Sequence, residues 1–331
     1  MNTGCLKQRR TAVLTAALTA ALWAGTLAPA AAQNYPNKQL RMIIPAPVGG
    51  AVDSFARLVS QKLAIALGQP VVPENKAGAG TMIGSEFTAK AAPDGYTVLM
   101  ITNSHAINAG LRKTMRYDSV NDFAPVILIG SIADLLLVHP SVPVKNVKEF
   151  VELGRKQQIT YASAGVGSGT HLGGVLFNQA AKLNMLHVPF AGGPPALSDV
   201  VGGHINMMFS NTLIAMPLIK DGRLRALGLA APKRSALLPD IPTIAEQGYP
   251  GFESGAWFGV LLPAKTPPQI VNLLNREIAK ILQMPDVREN MISKGLDIDF
   301  GTPEEFGAYL RKDIDAWKKL REANPDLTMG D

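Results

Sequence analysis

Short apolar segments alternate with stretches of helical periodicity along most of the chain. Residues 40–45 form the first apolar run, and residues 52–67 then repeat apolar side chains at helical spacing until Gly68, a typical helix stop. This alternation predicts α/β domains with mainly parallel sheets. Further strands are predicted at 70–73, 96–101, 124–130, 135–139, 159–162, 185–188, 205–209, 224–230 and 256–262. Further helices are predicted at 82–91, 147–156, 172–183, 194–201, 267–282 and 303–322.

The first 32 residues have the three-part order of a secretory signal peptide. Residues 1–10 carry basic side chains, residues 11–27 are apolar and uncharged, and residues 29–32 offer small side chains for cleavage. The apolar stretch is shorter than the roughly 20 residues that a spanning helix needs, and a membrane anchor is the alternative interpretation. A lipid-anchored precursor would carry its cysteine after the apolar stretch, whereas Cys5 precedes it. We therefore predict export to the periplasm as a free, soluble protein.

The remaining chain of about 300 residues is long enough for two domains. It contains no repeat and no low-complexity linker, so we expect the strands themselves to cross between the domains. The formal net charge of +6 is not concentrated in any basic run of five residues, and aromatic residues make up only 6% of the chain. These features argue against a nucleic-acid partner.

Four turns place Gly, Ser or Asn where a predicted strand gives way to a helix: residues 45–53, 102–105, 162–171 and 190–195. Glycine lets the backbone approach a ligand closely, and the helix that follows offers unpaired N–H groups and a positive dipole end. Ser210-Asn211 is a fifth, weaker candidate. Each turn alone is equally well explained by chain reversal and helix capping. Several turns from both halves of the chain favour a cleft in which helix N-termini converge on one anion.

The residues give little support to an enzyme. Ser168 lies between glycines, but a nucleophile elbow requires G-x-S-x-G, and Val166 and Thr170 occupy the two outer glycine positions. The five histidines lack metal-ligand spacing, and the single cysteine lies within the first 32 residues, so we expect no catalytic residue, metal or cofactor. A secreted serine hydrolase that uses Ser168 is the alternative function.

The order of motifs resembles the tripartite tricarboxylate transporter receptors, also called Bug-type extracytoplasmic solute receptors. The resemblance extends over essentially the whole chain after residue 32. One matching element is the P-D-I-P-T-x-x-E-Q-G run at residues 239–248, and the specificity comes from the number of matches in order. The other matching segments are 45–53, 75–84, 93–97, 161–171, 187–192, 251–257 and 302–306.

The resemblance implies an α/β periplasmic-binding-protein fold of type II, in which two lobes joined by crossing strands close on a ligand. One lobe would comprise residues 34–135 plus 253–331, and the other residues 136–252. The implied ligand is a small organic carboxylate, and the implied partner is a tripartite tricarboxylate-type membrane permease. We expect the receptor to be a monomer.

The resemblance also assigns ligand contacts, which would come mainly from backbone groups and small polar side chains. In the first lobe the expected contacts are Ala46, Val48, Gly49, Gly50 and Ser104. In the second lobe they are Ser168, Thr170, Phe190, Ala191, Gly192, Gly193 and Asn211.

Three of these positions depart from the usual pattern of the family. Ala46 stands where Phe is common, Val48 where Pro is common, and Ala191 where Lys or Arg is common. Loss of a ring and of a cation predicts a larger, more apolar cleft, suited to an aromatic mono- or dicarboxylate. In the alternative, waters or a neighbouring side chain refill the space and the helix N-termini hold a small dicarboxylate.

Overall fold

Strands and helices alternate along the chain in the computed structural model, which describes residues 35–327 and residue 329. The predicted signal peptide, residues 1–32, lies outside the described residues. Within the described part, no helix combines the length and the apolar character needed to cross a bilayer. The strands are β1 (Leu40–Ile44), β2 (Val71–Asn75), β3 (Thr97–Thr102), β4 (Phe123–Val138), β5 (Thr160–Ser163), β6 (Leu186–Pro189), β7 (Met207–Asn211), β8 (Arg225–Leu229), β9 (Gly255–Pro263) and β10 (Asp297–Ile298).

The helices follow the predicted periodicity closely where a single apolar face packs on the sheet. Those over residues 51–67, 147–156 and 303–323 lie within two residues of their predicted bounds. The helices are α1 (Ala51–Leu67), α2 (Met82–Ala89), α3 (Ser104–Leu111), α4 (Val147–Lys156), α5 (Gly169–Ala181), α6 (Gly193–Val201), α7 (Thr212–Lys220), α8 (Pro268–Gln283), α9 (Pro285–Ser293) and α10 (Pro303–Ala323). Single-turn 3-10 helices occur at Ala79–Thr81 and Pro325–Leu327.

The strands form one sheet in the order β2-β1-β3-β9-β4-β7-β5-β6, with β8 and β10 also pairing with β4. β1 pairs in parallel with β2 and β3, and β5 pairs in parallel with β6 and β7. The strands between these two groups are antiparallel, since β9 pairs that way with both β3 and β4. The prediction of mainly parallel pairing is therefore right for the two outer groups and wrong for the centre of the sheet.

β4 is a single strand of 16 residues, whereas the sequence predicts two strands separated at residues 131–134. The apolar run is interrupted there by small and polar residues, but the backbone ladder continues. Up to Ala133 the strand pairs with β9. From Asp134 onward it pairs with β7, and from Leu135 onward it also pairs with β8 on its other edge. β4 is therefore a strand that passes from one part of the sheet to the other, as the expectation of crossing strands requires. The change of partner lies within two residues of the predicted lobe boundary at residue 135, which stays a prediction.

Separate clusters of buried side chains pack on the two parts of the sheet. One contains Leu99, Trp257 and Phe306 beside β3 and β9. Another contains Phe150, Phe177 and Phe209 on the far side of β4, and its aromatic rings contact one another edge-on or tilted. Each part of the sheet therefore has apolar contacts of its own, as expected for two lobes.

Gly259 in β9 makes room for the ring of Phe306, which is only 2% exposed. A Cβ at Gly259 would overlap that ring. We expect Gly259→Ala to lower the free energy of unfolding by about 1–3 kcal/mol through overpacking, measured by chemical denaturation. Adding Phe306→Leu should recover part of the loss, because Leu withdraws the overlapping atoms. Unchanged stability of the single variant would show that the ring can move aside at no cost.

Candidate functional site

A cavity of about 340 Å³ lies at the ends of the central strands, where several helices begin. Its walls include the residues that precede or start α1, α3, α5, α6 and α7. Parallel strands place the turns that follow them at one edge of the sheet, which is where α/β proteins bind ligands. The two halves of the chain contribute opposite walls of this cavity.

Ten of the twelve predicted contacts line this cavity. They come from all five turns singled out in the sequence, including the weaker Ser210-Asn211 candidate. The ten are Ala46, Gly50, Ser104, Ser168, Thr170, Phe190, Ala191, Gly192, Gly193 and Asn211.

The remaining two predicted contacts, Val48 and Gly49, are not among the lining residues. The side chain of Val48 points outward and is 65% exposed. The backbone N–H of Gly49 donates to Asp53 Oδ2 at 3.0 Å rather than facing the cavity. Gly49 has a φ of +87°, a conformation that glycine adopts easily, so its role in this structure is to form the turn.

Asp53 organises the first turn from inside α1. Besides the Gly49 bond, its Oδ1 accepts hydrogen bonds from Arg57 and from Asn75 Nδ2, both at 2.9 Å. Asn75 Nδ2 also donates to the carbonyl of Ala46. Burial opposes ionisation of Asp53, but the hydrogen bonds outweigh it and lower its pKa. The carboxylate is therefore a fixed internal anchor for the turn.

Ser168 and Thr170 shape the wall opposite the first turn. Ser168 Oγ donates to the carbonyl of Gly165 at 2.6 Å and accepts from His171 N, which caps α5. Thr170 Oγ1 accepts from Ala164 N at 2.9 Å. Both side chains thus hold the loop together while they line the cavity, and the capping interpretation accounts for their hydrogen bonds.

The geometry does not provide Ser168 with a catalytic base. Among the described residues, its hydrogen bonds go to backbone groups and to Thr170. His171 instead packs against His187, with 4.2 Å between ring centroids. The serine that meets a histidine ring is Ser163, 2.7 Å from His187 Nε2, and it is fully buried and is not itself a lining residue.

Several lining residues were missed by sequence reasoning. Residues 78–81 form part of the wall, although they lie outside the five turns that the sequence singled out. Arg112 and Asp134 also line the cavity and are the charged residues of its described lining. A lone acid within the apolar run of β4 was the available signal for Asp134. Arg112 follows α3, a helix that the sequence pattern did not reveal.

The two walls touch each other through glycines. A Cβ at Gly192 would overlap the ring of Pro47, and one at Gly80 would lie 2.5 Å from the carbonyl oxygen of Val166. These pairs join segments far apart in the chain across the mouth of the cavity. All four residues line the cavity, so these contacts place its walls close together.

Residues 55–324 match the model of the family described as tripartite tricarboxylate transporter family receptor. The chain belongs to this family. It is a periplasmic-type solute-binding receptor rather than an enzyme, so the hydrolase alternative based on Ser168 is wrong. The family finding agrees with the absence of a base beside Ser168 in the described chain.

Solved structures of similar proteins support the same conclusion. The periplasmic binding protein BugD is 31% identical, with a TM-score of 0.85 over 90% of this chain and 100% of BugD. MatC from Rhodopseudomonas palustris, with bound malate, is 32% identical, with a TM-score of 0.82 over 86% of this chain and 99% of MatC. A second R. palustris protein, with adipate, is 32% identical, with a TM-score of 0.84 over 87% of this chain and 97% of that protein. The predicted periplasmic-binding-protein fold is confirmed.

The contact between Gly192 and Pro47 gives a test of whether the close approach of the two walls matters for binding. We expect Gly192→Ala to keep the walls apart, because the added Cβ meets the proline ring and the φ of +141° is unfavourable for alanine. Affinity for the tightest-binding acid of a carboxylate panel should fall at least about tenfold, equivalent to about 1.4 kcal/mol, measured by calorimetry.

Gly68→Ala is the matched control, since it adds a methyl group at a positive φ of +65° outside the cavity lining, with no atom within 4 Å of the new Cβ. Equal affinities of the two variants would show that the Gly192 contact does not matter for binding.

Proposed function

We propose that this receptor captures a small organic carboxylate in the described cavity by closure of two lobes and delivers it to a tripartite tricarboxylate-type membrane permease. The lobes are residues 34–135 plus 253–331 and residues 136–252. The protein would act in the periplasm as a monomer, after removal of residues 1–32. The observation that carries the proposal is the convergence of helix starts on one cavity.

Four helices begin at residues that line the cavity, and Asn211, the residue before a fifth helix, lines it as well. Each helix start has N–H groups without intrahelical partners and the positive end of a dipole. A carboxylate near such a start is stabilised by about 0.3–1 kcal/mol at exposed sites, and by more where water is excluded. Arg112 is the basic side chain of the described lining. Backbone groups would therefore provide most of the interactions with the ligand's negative charge.

The solved relatives support a carboxylate as the ligand. MatC holds malate and the second R. palustris protein holds adipate, and both acids carry two carboxylates on a short chain. The similarity covers at least 86% of this chain in each case. The same class of ligand is therefore the first to test here.

The apolar part of the lining favours a bulkier acid than malate. Ala46 and Ala191 leave open the space that larger side chains would fill, and Phe190, Ile214 and Phe258 add apolar surface. A cavity of about 340 Å³ is within the usual range for small-molecule sites. An aromatic carboxylate would combine one charged end with a flat apolar body and so match both parts of the lining.

A panel of acids tests the ligand class. Thermal shift followed by calorimetry should compare benzoate, the phthalate isomers, citrate, succinate, glutamate, malate and adipate. A ligand at about 100 times its Kd should stabilise the fold by roughly 2.7 kcal/mol. We expect the aromatic acids to bind most tightly.

Ala46→Phe should weaken aromatic acids about tenfold while affecting short aliphatic acids less, because the new ring occupies their volume. Tight binding of succinate or glutamate with no response to aromatic acids would contradict the aromatic assignment and leave the carboxylate assignment intact.

Lobe closure can be measured in solution. Because β4 passes between the two parts of the sheet, rotation about it would change the overall dimensions of the protein. We expect small-angle scattering to give a smaller radius of gyration with saturating ligand than without. An unchanged radius at demonstrated saturation would argue against a closing receptor.

A further inference from the structure

Asp134 places a buried carboxyl group in the wall of the cavity. It is the residue of β4 at which pairing changes from β9 to β7, and it is only 2% exposed. Its backbone is fixed on both sides, because its N–H donates to the carbonyl of Ser254 and its carbonyl accepts from Ala230 N. The side chain therefore projects from a rigid position, which is what a selective binding site requires.

The carboxyl group of Asp134 is only partly satisfied within the described chain. Ser254 Oγ donates to Oδ2 at 2.9 Å, and no other described hydrogen bond reaches either carboxyl oxygen. No described basic side chain forms an ion pair with it. Burial therefore raises the pKa of Asp134 to about 6, despite the Ser254 bond. At neutral pH the site holds a mostly ionised carboxylate with capacity to accept a further hydrogen bond.

A second polar group of the lining lacks a partner as well. Ser210, on β7, lines the cavity and is fully buried, and its hydroxyl has no hydrogen-bond partner among the described residues. Its neighbour Asn211 lies opposite Asp134 in the β4–β7 register, but Asn211 Oδ1 accepts from Ile214 N and caps α7. Buried polar groups are normally satisfied, so unsatisfied ones in a cavity wall indicate groups that a ligand completes.

We propose that Asp134 determines specificity by accepting a hydrogen bond from a hydroxyl or amino group on the ligand and by disfavouring a second carboxylate at that position. The inference rests on the proposed function, in which helix starts hold the first carboxylate. It narrows the ligand to a monocarboxylate that carries a hydrogen-bond donor away from its acid group. A hydroxy- or amino-substituted aromatic acid has that chemistry.

The physical basis is the difference between a donor and a like charge beside a buried carboxylate. A hydroxyl or amino group forms a charge-assisted hydrogen bond with Asp134, which is stronger than a neutral one. A second carboxylate at the same place cannot stay ionised beside Asp134 without strong repulsion, so one of the two must take up a proton. Among the described residues no basic side chain forms an ion pair with Asp134, although Arg112 lines the same cavity.

The test compares ligands that differ only at the end away from the acid. 4-Hydroxybenzoate, 4-aminobenzoate, benzoate and terephthalate form one set, and 4-hydroxybutyrate, butyrate and succinate form an aliphatic set that does not depend on a ring. Calorimetry at pH 8 keeps Asp134 ionised. Within each set we expect the acid that carries a hydroxyl or amino group to bind about tenfold tighter than the unsubstituted acid. We expect the dicarboxylate of each set to bind most weakly.

Asp134→Asn has nearly the same size but no charge, and its amide can donate to a carboxylate. In this variant the ratio of affinities between the donor-bearing and the unsubstituted acid should shrink about tenfold. The dicarboxylate should bind more tightly than the unsubstituted acid. Asp297→Asn, on the exposed face of β10, removes a carboxylate outside the cavity and should keep the wild-type order. Thermal unfolding of both variants checks that they are folded.

The outcomes separate the two proposals. If the wild-type protein binds carboxylates but ranks a dicarboxylate first, or if Asp134→Asn keeps the wild-type order, the role of Asp134 is wrong and the receptor function stands. If the wild-type protein binds no acid of either set or of the earlier panel, the proposed function fails and the role of Asp134 fails with it.

Discussion

The continuous hydrogen-bond ladder of β4 is the constraint on which the rest of the structure depends. A strand of 16 residues must satisfy its backbone groups along its whole length. It does so with β9 on the first part and with β7 and β8 on the second. The two parallel groups of strands are therefore attached to one backbone segment, and their turns face each other across it.

The cavity follows from that attachment together with the direction of the parallel strands. β1, β3, β5 and β7 all end beside the cavity, and each is followed by a helix whose first residues are Gly, Ala, Ser or Thr. Small residues at helix starts let backbone N–H groups approach a ligand, and they also let the opposing walls come into contact. In the proposed receptor the same glycines would serve both ligand access and lobe closure.

Much of this arrangement could be predicted from the sequence, because strong periodicity marks buried strands and one-sided helices. The pattern of apolar and polar residues failed to predict helices whose faces do not differ in polarity. α3 mixes small, polar and apolar residues and is buried almost throughout, and α7 is mostly apolar with Pro217 inside it, so neither shows a clear polar face. β4 was divided because Ser131 and Asp134 interrupt its apolar run, although backbone pairing does not depend on side-chain polarity.

The site was predicted better than its chemistry. Turn motifs identified most of the lining, because glycine and helix-start residues have local signatures. Val48 and Gly49 belong to the right turn but face away, since side-chain direction in a turn depends on φ and on the Asp53 anchor. Asp134 could not be assigned at all, because its importance arises from the pairing of β4 with a strand some 75 residues further along the chain.

The placement of charged groups around the cavity suggests how receptors of this fold can differ in the acids that they bind. Helix starts bind any carboxylate alike, since backbone N–H groups are common to all sequences. Selectivity must then come from side chains that meet the rest of the ligand. In the described lining those side chains are mostly apolar, so a single charged group such as Asp134 outweighs many dispersion contacts. If Asp134 has the proposed role, exchanging this one residue of β4 should redirect the receptor to another acid while the fold and the turns around the cavity stay unchanged.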